Sequence, residues 1–110
     1  MATDIPFVEH VAEQARLGER LTWKKMFGEY ALYIDGKVVA FACDNSLFIK
    51  PADATRALVA GLPERPPYPG AKLYPVADEL LDDAERLQEL LLATWQAVPA
   101  PKPKRKKKRE

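Results

Sequence analysis

At 110 residues, 47% hydrophobic and 30% charged, the chain can build one ordinary domain around a single modest core, and a second full domain will not fit. Its formal charge of +1 conceals a division: residues 1–98 hold 10 Lys or Arg against 15 Asp or Glu, a net of −5, whereas residues 99–110 hold 7 against 1, a net of +6. One cysteine, Cys43, excludes an internal disulfide framework, and together with the only histidine, His10, it cannot complete a structural zinc site.

Asp4-Ile5-Pro6 reads as a helix start, since an Asp oxygen can accept a first-turn N–H and Pro is tolerated there. Val8, Val11, Ala12 and Ala15 follow at helical spacing, Gly18 offers a stop, and Glu9, Glu13, Gln14 and Arg16 form a solvated face. From residue 22 to 50 the period changes to that of a meander of antiparallel strands. Asp35-Gly36 and Asp44-Asn45 are two-residue turn signals, giving strands at 30–34, 37–43 and 46–50, with residues 23–27 leading into the first and Gly28 at a bend or bulge. The middle strand, residues 38–43, is apolar on both alternating faces and should be central. Helices can cover one of those faces; the other needs more chain or a second subunit.

Residues 52–60 have the composition of a short helix ending at Gly61, with Ala54, Ala57 and Leu58 facing inward. Residues 62–70 hold four prolines and read as a loop or an edge, and residues 71–76 as one further strand closing at Pro75. Asp82-Asp83-Ala84-Glu85 is a capping-box-like start to a final helix, whose apolar stripe is Ala84, Leu87, Leu91, Trp95 and Val98 with Trp95 as its core anchor. Residues 99–110 have no apolar periodicity and strong self-repulsion, so the expected division is a folded domain over 1–98 and a disordered Lys/Arg-rich tail over 99–110. No apolar run approaches the roughly 20 residues that span a bilayer, and the first residues lack the basic and apolar parts of a signal peptide, so a cytoplasmic protein away from membranes is expected.

The segment Lys25-Met26-Phe27-Gly28-Glu29-Tyr30-Ala31-Leu32-Tyr33, followed by Leu47-Phe48-Ile49-Lys50-Pro51, resembles the N-terminal domain of the TfoX/Sxy family, which includes bacterial regulators of competence for DNA uptake. Tyr68 and Tyr74 fall about where that family's later tyrosines stand. The resemblance implies an α+β domain of α-β(3)-α-β(2)-α order, an antiparallel sheet packed by helices, similar to secretion-chaperone-like folds. It also implies a regulatory role tied to competence or transcription. Longer members carry a C-terminal helical domain, where this sequence has only the basic tail.

The stock for catalysis is thin: one His, one Cys and no Gly-rich phosphate loop, so a non-enzymatic protein without cofactor or metal is expected. His10 reads as a surface histidine and Cys43 as a buried small hydrophobe. Asp78-Glu79 and Asp82-Asp83 read as helix-dipole compensation. Met26, Phe27, Gly28, Tyr30 and Tyr33 read first as strand geometry and core, and with Lys25, Lys50, Tyr68 and Tyr74 they make up the family-motif residues. Their second reading is a protein-binding surface, with Lys25 and Lys50 marking one sheet end as an anionic contact. In the tail, Lys102, Lys104, Arg105, Lys106, Lys107, Lys108 and Arg109 can contact DNA or RNA without reading base sequence. Two functions therefore stand side by side. The first is a regulatory module that contacts a protein partner, or a second copy of itself as a homodimer, through the sheet. The second is a small enzyme or ligand-binding protein with a pocket between the sheet and residues 63–75.

Overall fold

The computed structural model describes residues 3–26 and 29–98. Helix α1 (Ile5–Ala15) leads into a 3₁₀ turn and four strands, β1 (Leu21–Met26), β2 (Glu29–Ile34), β3 (Lys37–Cys43) and β4 (Ser46–Ile49). A second 3₁₀ turn and the four-residue helix α2 (Arg56–Val59) follow, then two short strands, β5 (Glu64–Arg65) and β6 (Tyr74–Pro75), a third 3₁₀ turn (Asp78–Asp82) and helix α3 (Ala84–Ala97). The α+β class expected from the sequence is what forms. The main sheet has four strands instead of three, because residues 21–26 pair along their whole length with β2 instead of merely leading into it. The later pair forms its own two-stranded ribbon.

Strands run in the order β1-β2-β3-β4, each antiparallel to the next. Two tight turns set the register. Asp35 and Gly36 have φ of +48° and +87°, and Asp44 and Asn45 have +52° and +56°, the left-handed pairs that let a two-residue turn match the twist of its strands. A bulge at Leu32/Tyr33 shifts the β2–β3 register once. Gly28, where the sequence placed a bend, lies outside the described residues.

One face of the sheet is covered by α1 and α3. Val8, Val11 and Ala15 from α1 and Leu87, Leu90 and Leu91 from α3 bury themselves against Leu32, Ile34, Ala40, Leu47 and Ile49. A fully buried Leu or Ile contributes about 1.5–3 kcal/mol, so this layer holds the fold. Trp95 is only partly buried at its rim, with the Arg20 guanidinium 5.0 Å and the Lys37 ammonium 5.2 Å from its ring centroid. Its indole N–H is buried with no partner among the described residues. The central anchors of α3 are Leu87, Leu90 and Leu91.

Several local expectations change for identifiable reasons. Asp4 stands at the N-cap of α1, but its side chain makes no cap bond. Pro6 offers no N–H, and the Phe7 N–H donates to the backbone carbonyl of Asp4 (3.0 Å), so no donor is left for the carboxylate. Gln14 is half-buried and donates to the Leu81 carbonyl (2.6 Å) instead of facing solvent. The helix ends at Ala15 with Arg16 at φ +55°, and Gln88 donates to the orphaned carbonyls of Ala15 and Arg16 (3.0 Å each). In the segment around α2, Ala54 and Ala57 are exposed while Thr55 is buried, its hydroxyl donating to the Ala52 carbonyl (3.1 Å). At α3 the Asp83 carboxylate accepts the Arg86 N–H (3.3 Å), which is half of a capping box, since Arg86 and not a Glu occupies the third position.

Candidate functional site

The second face of the sheet is closed by more of the chain, and only in part. Residues 76–78 run along the outer edge of β4. The Ala77 N–H donates to the Leu47 carbonyl (2.8 Å), the Asp78 carboxylate accepts the Leu47 N–H (2.7 Å), and Val76 bridges to Phe48. This pins the β5–β6 ribbon over β3 and β4. Cys43, Phe48 and Val76 form a small second core there, with Phe41 and Tyr74 packed against it and their rings 5.9 Å apart at 52°. The β1–β2 half of the same face keeps Met26 exposed and Tyr33 half-buried beneath the Lys24 ammonium (5.8 Å).

Between the covered and open halves lies a cleft of about 640 Å³. Its sheet wall is Met26, Glu29, Tyr30, Phe41 and Cys43; its roof is Pro67, Tyr68 and Tyr74. The proline-rich segment explains the roof, because Pro removes backbone donors and fixes φ, so residues 66–69 arch over the sheet instead of joining it. Pro67 is buried and Tyr68 is 64% exposed at the mouth. A second groove shares Glu29, Pro67 and Tyr68 with the cleft and carries Arg65, whose guanidinium donates to Ser46 Oγ (2.9 Å) and stacks on Phe48 (5.6 Å).

Glu29 is the cleft's one formal charge among the described residues. Its Oε1 accepts from the Thr3 hydroxyl (2.6 Å) and the Asp44 N–H (3.2 Å). The Thr3 hydroxyl has the Ala42 carbonyl within reach (3.1 Å) and accepts the Asn45 N–H (3.2 Å), which ties the start of the chain to the β3–β4 turn. Burial first, then the charges of Glu29 and Asp44, push the Cys43 thiol up to about 11, so it is a proton-bearing wall and not a nucleophile. Burial also raises the Tyr74 phenol, with Tyr68 and Cys43 as smaller causes. Among the described residues no group of three or more His, Cys, Asp or Glu could hold a metal ion, and no helix is long and apolar enough to cross a membrane. His10 is exposed on α1.

Of the residues singled out from sequence, Met26, Tyr30, Tyr68 and Tyr74 meet at the cleft, although Tyr30 is 8% exposed and belongs mainly to the helix-side core. Tyr33 lies on the same strand as Tyr30 without lining the cleft. Lys25 and Lys50 do not share a sheet end. Lys25 stands in the row of Tyr30, Ala42 and Leu47, on edge strand β1. Lys50 follows β4 at the opposite edge, its N–H on the Val39 carbonyl (2.9 Å), three strand spacings or about 14 Å across the sheet and further along β3 than the Ala42 row. Phe27, Gly28 and the seven tail cations lie outside the described residues. Phe41, Cys43, Glu29 and Pro67 complete the cleft beyond the residues expected from sequence. Phe41 and Cys43 alternate with core-facing Ala40 and Ala42, which was a usable signal; Glu29 opening an otherwise apolar strand was another.

The family model of the TfoX N-terminal domain matches residues 13–98. A protein of Spirochaeta aurantia described as an uncharacterized 12.7 kDa protein in the trpE 5′ region is 49% identical over 107 residues, covering 97% of this chain and 93% of the relative. The chain therefore belongs to the TfoX N-terminal domain family.

Proposed function

As a member of the TfoX N-terminal domain family, which supports a regulatory type of role in general terms and is not known as enzymatic, the chain is, we propose, a cytoplasmic interaction module of the competence- or transcription-associated kind. It contacts a protein through the uncovered half of its sheet, while the basic tail adds sequence-independent affinity for nucleic acid. The observation that carries this reading is the pair Met26 and Tyr68, large apolar side chains 40% and 64% exposed at the mouth of an apolar cleft. Large exposed apolar groups set together mark contact surfaces more than isolated ones do. A second copy of the chain is the other protein this face would suit. A photoreactive residue at position 26 or 68 should crosslink to one defined protein, with the same residue at exposed position 10 as control. Crosslinks no different from those of position 10 sink the reading. For the tail, binding to generic duplex DNA should weaken with salt at a log–log slope approaching about −6, the value for seven cations releasing counterions, and a chain ending at Val98 should lose it.

The cleft itself favours a second reading, a small-ligand binder. Its volume of about 640 Å³ falls within the roughly 300–1,000 Å³ typical of small-molecule sites, and its walls combine apolar surface with few polar groups. A compound that occupies it should raise the melting temperature by mass action.

A further inference from the structure

We propose that the cleft beneath the proline-rich arch takes a small organic ammonium ion with an apolar body, Glu29 serving as counter-ion and Phe41, Tyr68 and Tyr74 as the aromatic walls. This rests on the ligand reading above and names its ligand class. The faces of aromatic rings carry negative potential and attract a cation within about 6 Å of their centroids, most strongly where water is partly excluded. Phe41 and Tyr74 already meet at 5.9 Å on one side, and Tyr68 stands across from the sheet wall at the mouth.

Charge decides between a cation and the other small apolar ligands that such walls would admit. No Lys or Arg lines the cleft among the described residues, and the two undescribed residues beside Met26 and Glu29 are the uncharged Phe27 and Gly28. Two neighbouring cations have other partners: Arg65 donates to Ser46 and lies over Phe48 in the adjoining groove, and Lys24 lies over Tyr33. An anionic ligand would meet Glu29 with no cation among the described lining residues to offset it, and a neutral one would leave that charge without a counter-ion. Glu29 is also pre-positioned. Its Oε1 is tied to Thr3 and Asp44, while no described residue bonds Oε2, so a bound cation need not immobilise the side chain first.

The test uses the full chain and three soluble probes of similar size, benzyltrimethylammonium, benzyl alcohol and benzoate, followed by calorimetry and thermal unfolding. The ammonium should bind about tenfold more tightly than the alcohol, and benzoate should not bind. Glu29→Gln keeps an oxygen for Thr3 and Asp44 while removing the charge; it should weaken the ammonium about tenfold and leave the alcohol unchanged. Tyr68→Leu, at a side chain too exposed to hold up the fold, keeps apolar area and loses the ring; it should weaken the ammonium about fivefold even if the Glu29 variant unfolds. Equal affinity for ammonium and alcohol, or indifference of the ammonium to both substitutions, overturns the cation assignment and leaves an apolar ligand site standing. No binding of any probe up to about 10 mM, where even a millimolar site is nearly full, overturns the ligand reading as well.

Discussion

Cys43 ends β3 with 4% of its surface exposed, and the raised thiol pKa of about 11 follows from its place between the second core and the carboxylates of Glu29 and Asp44. A thiol raised from its ordinary 9.0 to about 11 holds about a hundredfold less thiolate at pH 8. Iodoacetamide should therefore alkylate the folded protein about a hundredfold more slowly than the chain in denaturant, and equal rates would show that the thiol is not buried as described. The same shift has a consequence for stability. The folded state holds the thiol proton more tightly than the unfolded state, so this contribution is complete below about pH 9 and is lost as pH rises toward about 11. Tyr74, also raised from its ordinary 10.0, adds in the same direction at the upper end. Denaturant midpoints should fall between pH 9 and 11, and Cys43→Ala should flatten the lower part of that decline.

Elements read most reliably where their determinants are local. The Asp35-Gly36 turn needs two residues at positive φ, and both are found there, at +48° and +87°. An added Cβ at Gly36 would meet nothing within 4 Å, so Gly36→Ala should cost only the backbone penalty, about 1–2 kcal/mol in chemical unfolding, with the register of β2 and β3 unchanged. A larger loss, or altered amide exchange along β3, would mean that the turn does more than reverse the chain. The two turns, the strands they join and the apolar stripe of α3 were legible in the sequence for this reason. The segment around α2 was legible only at Leu58, because alanines at 54 and 57 fit either side of a short helix, and tertiary packing chose Thr55 and Val59 in their place. The cleft was legible only as a place, between the sheet and residues 63–75. Its closure depends on Asp78 accepting the Leu47 N–H across 31 positions, and its charged group on Thr3 reaching Glu29 across 26. No local spacing encodes contacts of that range. The opposite ends occupied by Lys25 and Lys50 follow likewise from pairing four strands in one order.

At the scale of the molecule, the two faces of one sheet divide the work. The helix face is saturated: Leu32 is 0% exposed between Trp23 and Ala40 in its row, and α1 and α3 close over it. The other face is closed at β4 by residues 76–78 and left open toward β1, which puts partly uncovered apolar surface next to a rigid layer instead of within it. Substitutions on the two faces should then separate stability from binding. Leu32→Ala leaves a cavity where the packing is tightest and should cost about 2–5 kcal/mol, while the molecules that remain folded bind benzyltrimethylammonium with unchanged affinity. Tyr68→Leu should do the reverse, holding stability within about 0.5 kcal/mol and weakening the ligand. The double variant tests whether the separation is real: Tyr30 lines the cleft and belongs to the same core as Leu32, so additivity within about 0.5 kcal/mol would show that it does not couple the two sites. Additivity would place the binding surface on a sheet that the helices hold rigid. A larger interaction energy would mean that the cleft and the core move together, so that filling the cleft is felt through β2 and β3 by the helices behind them.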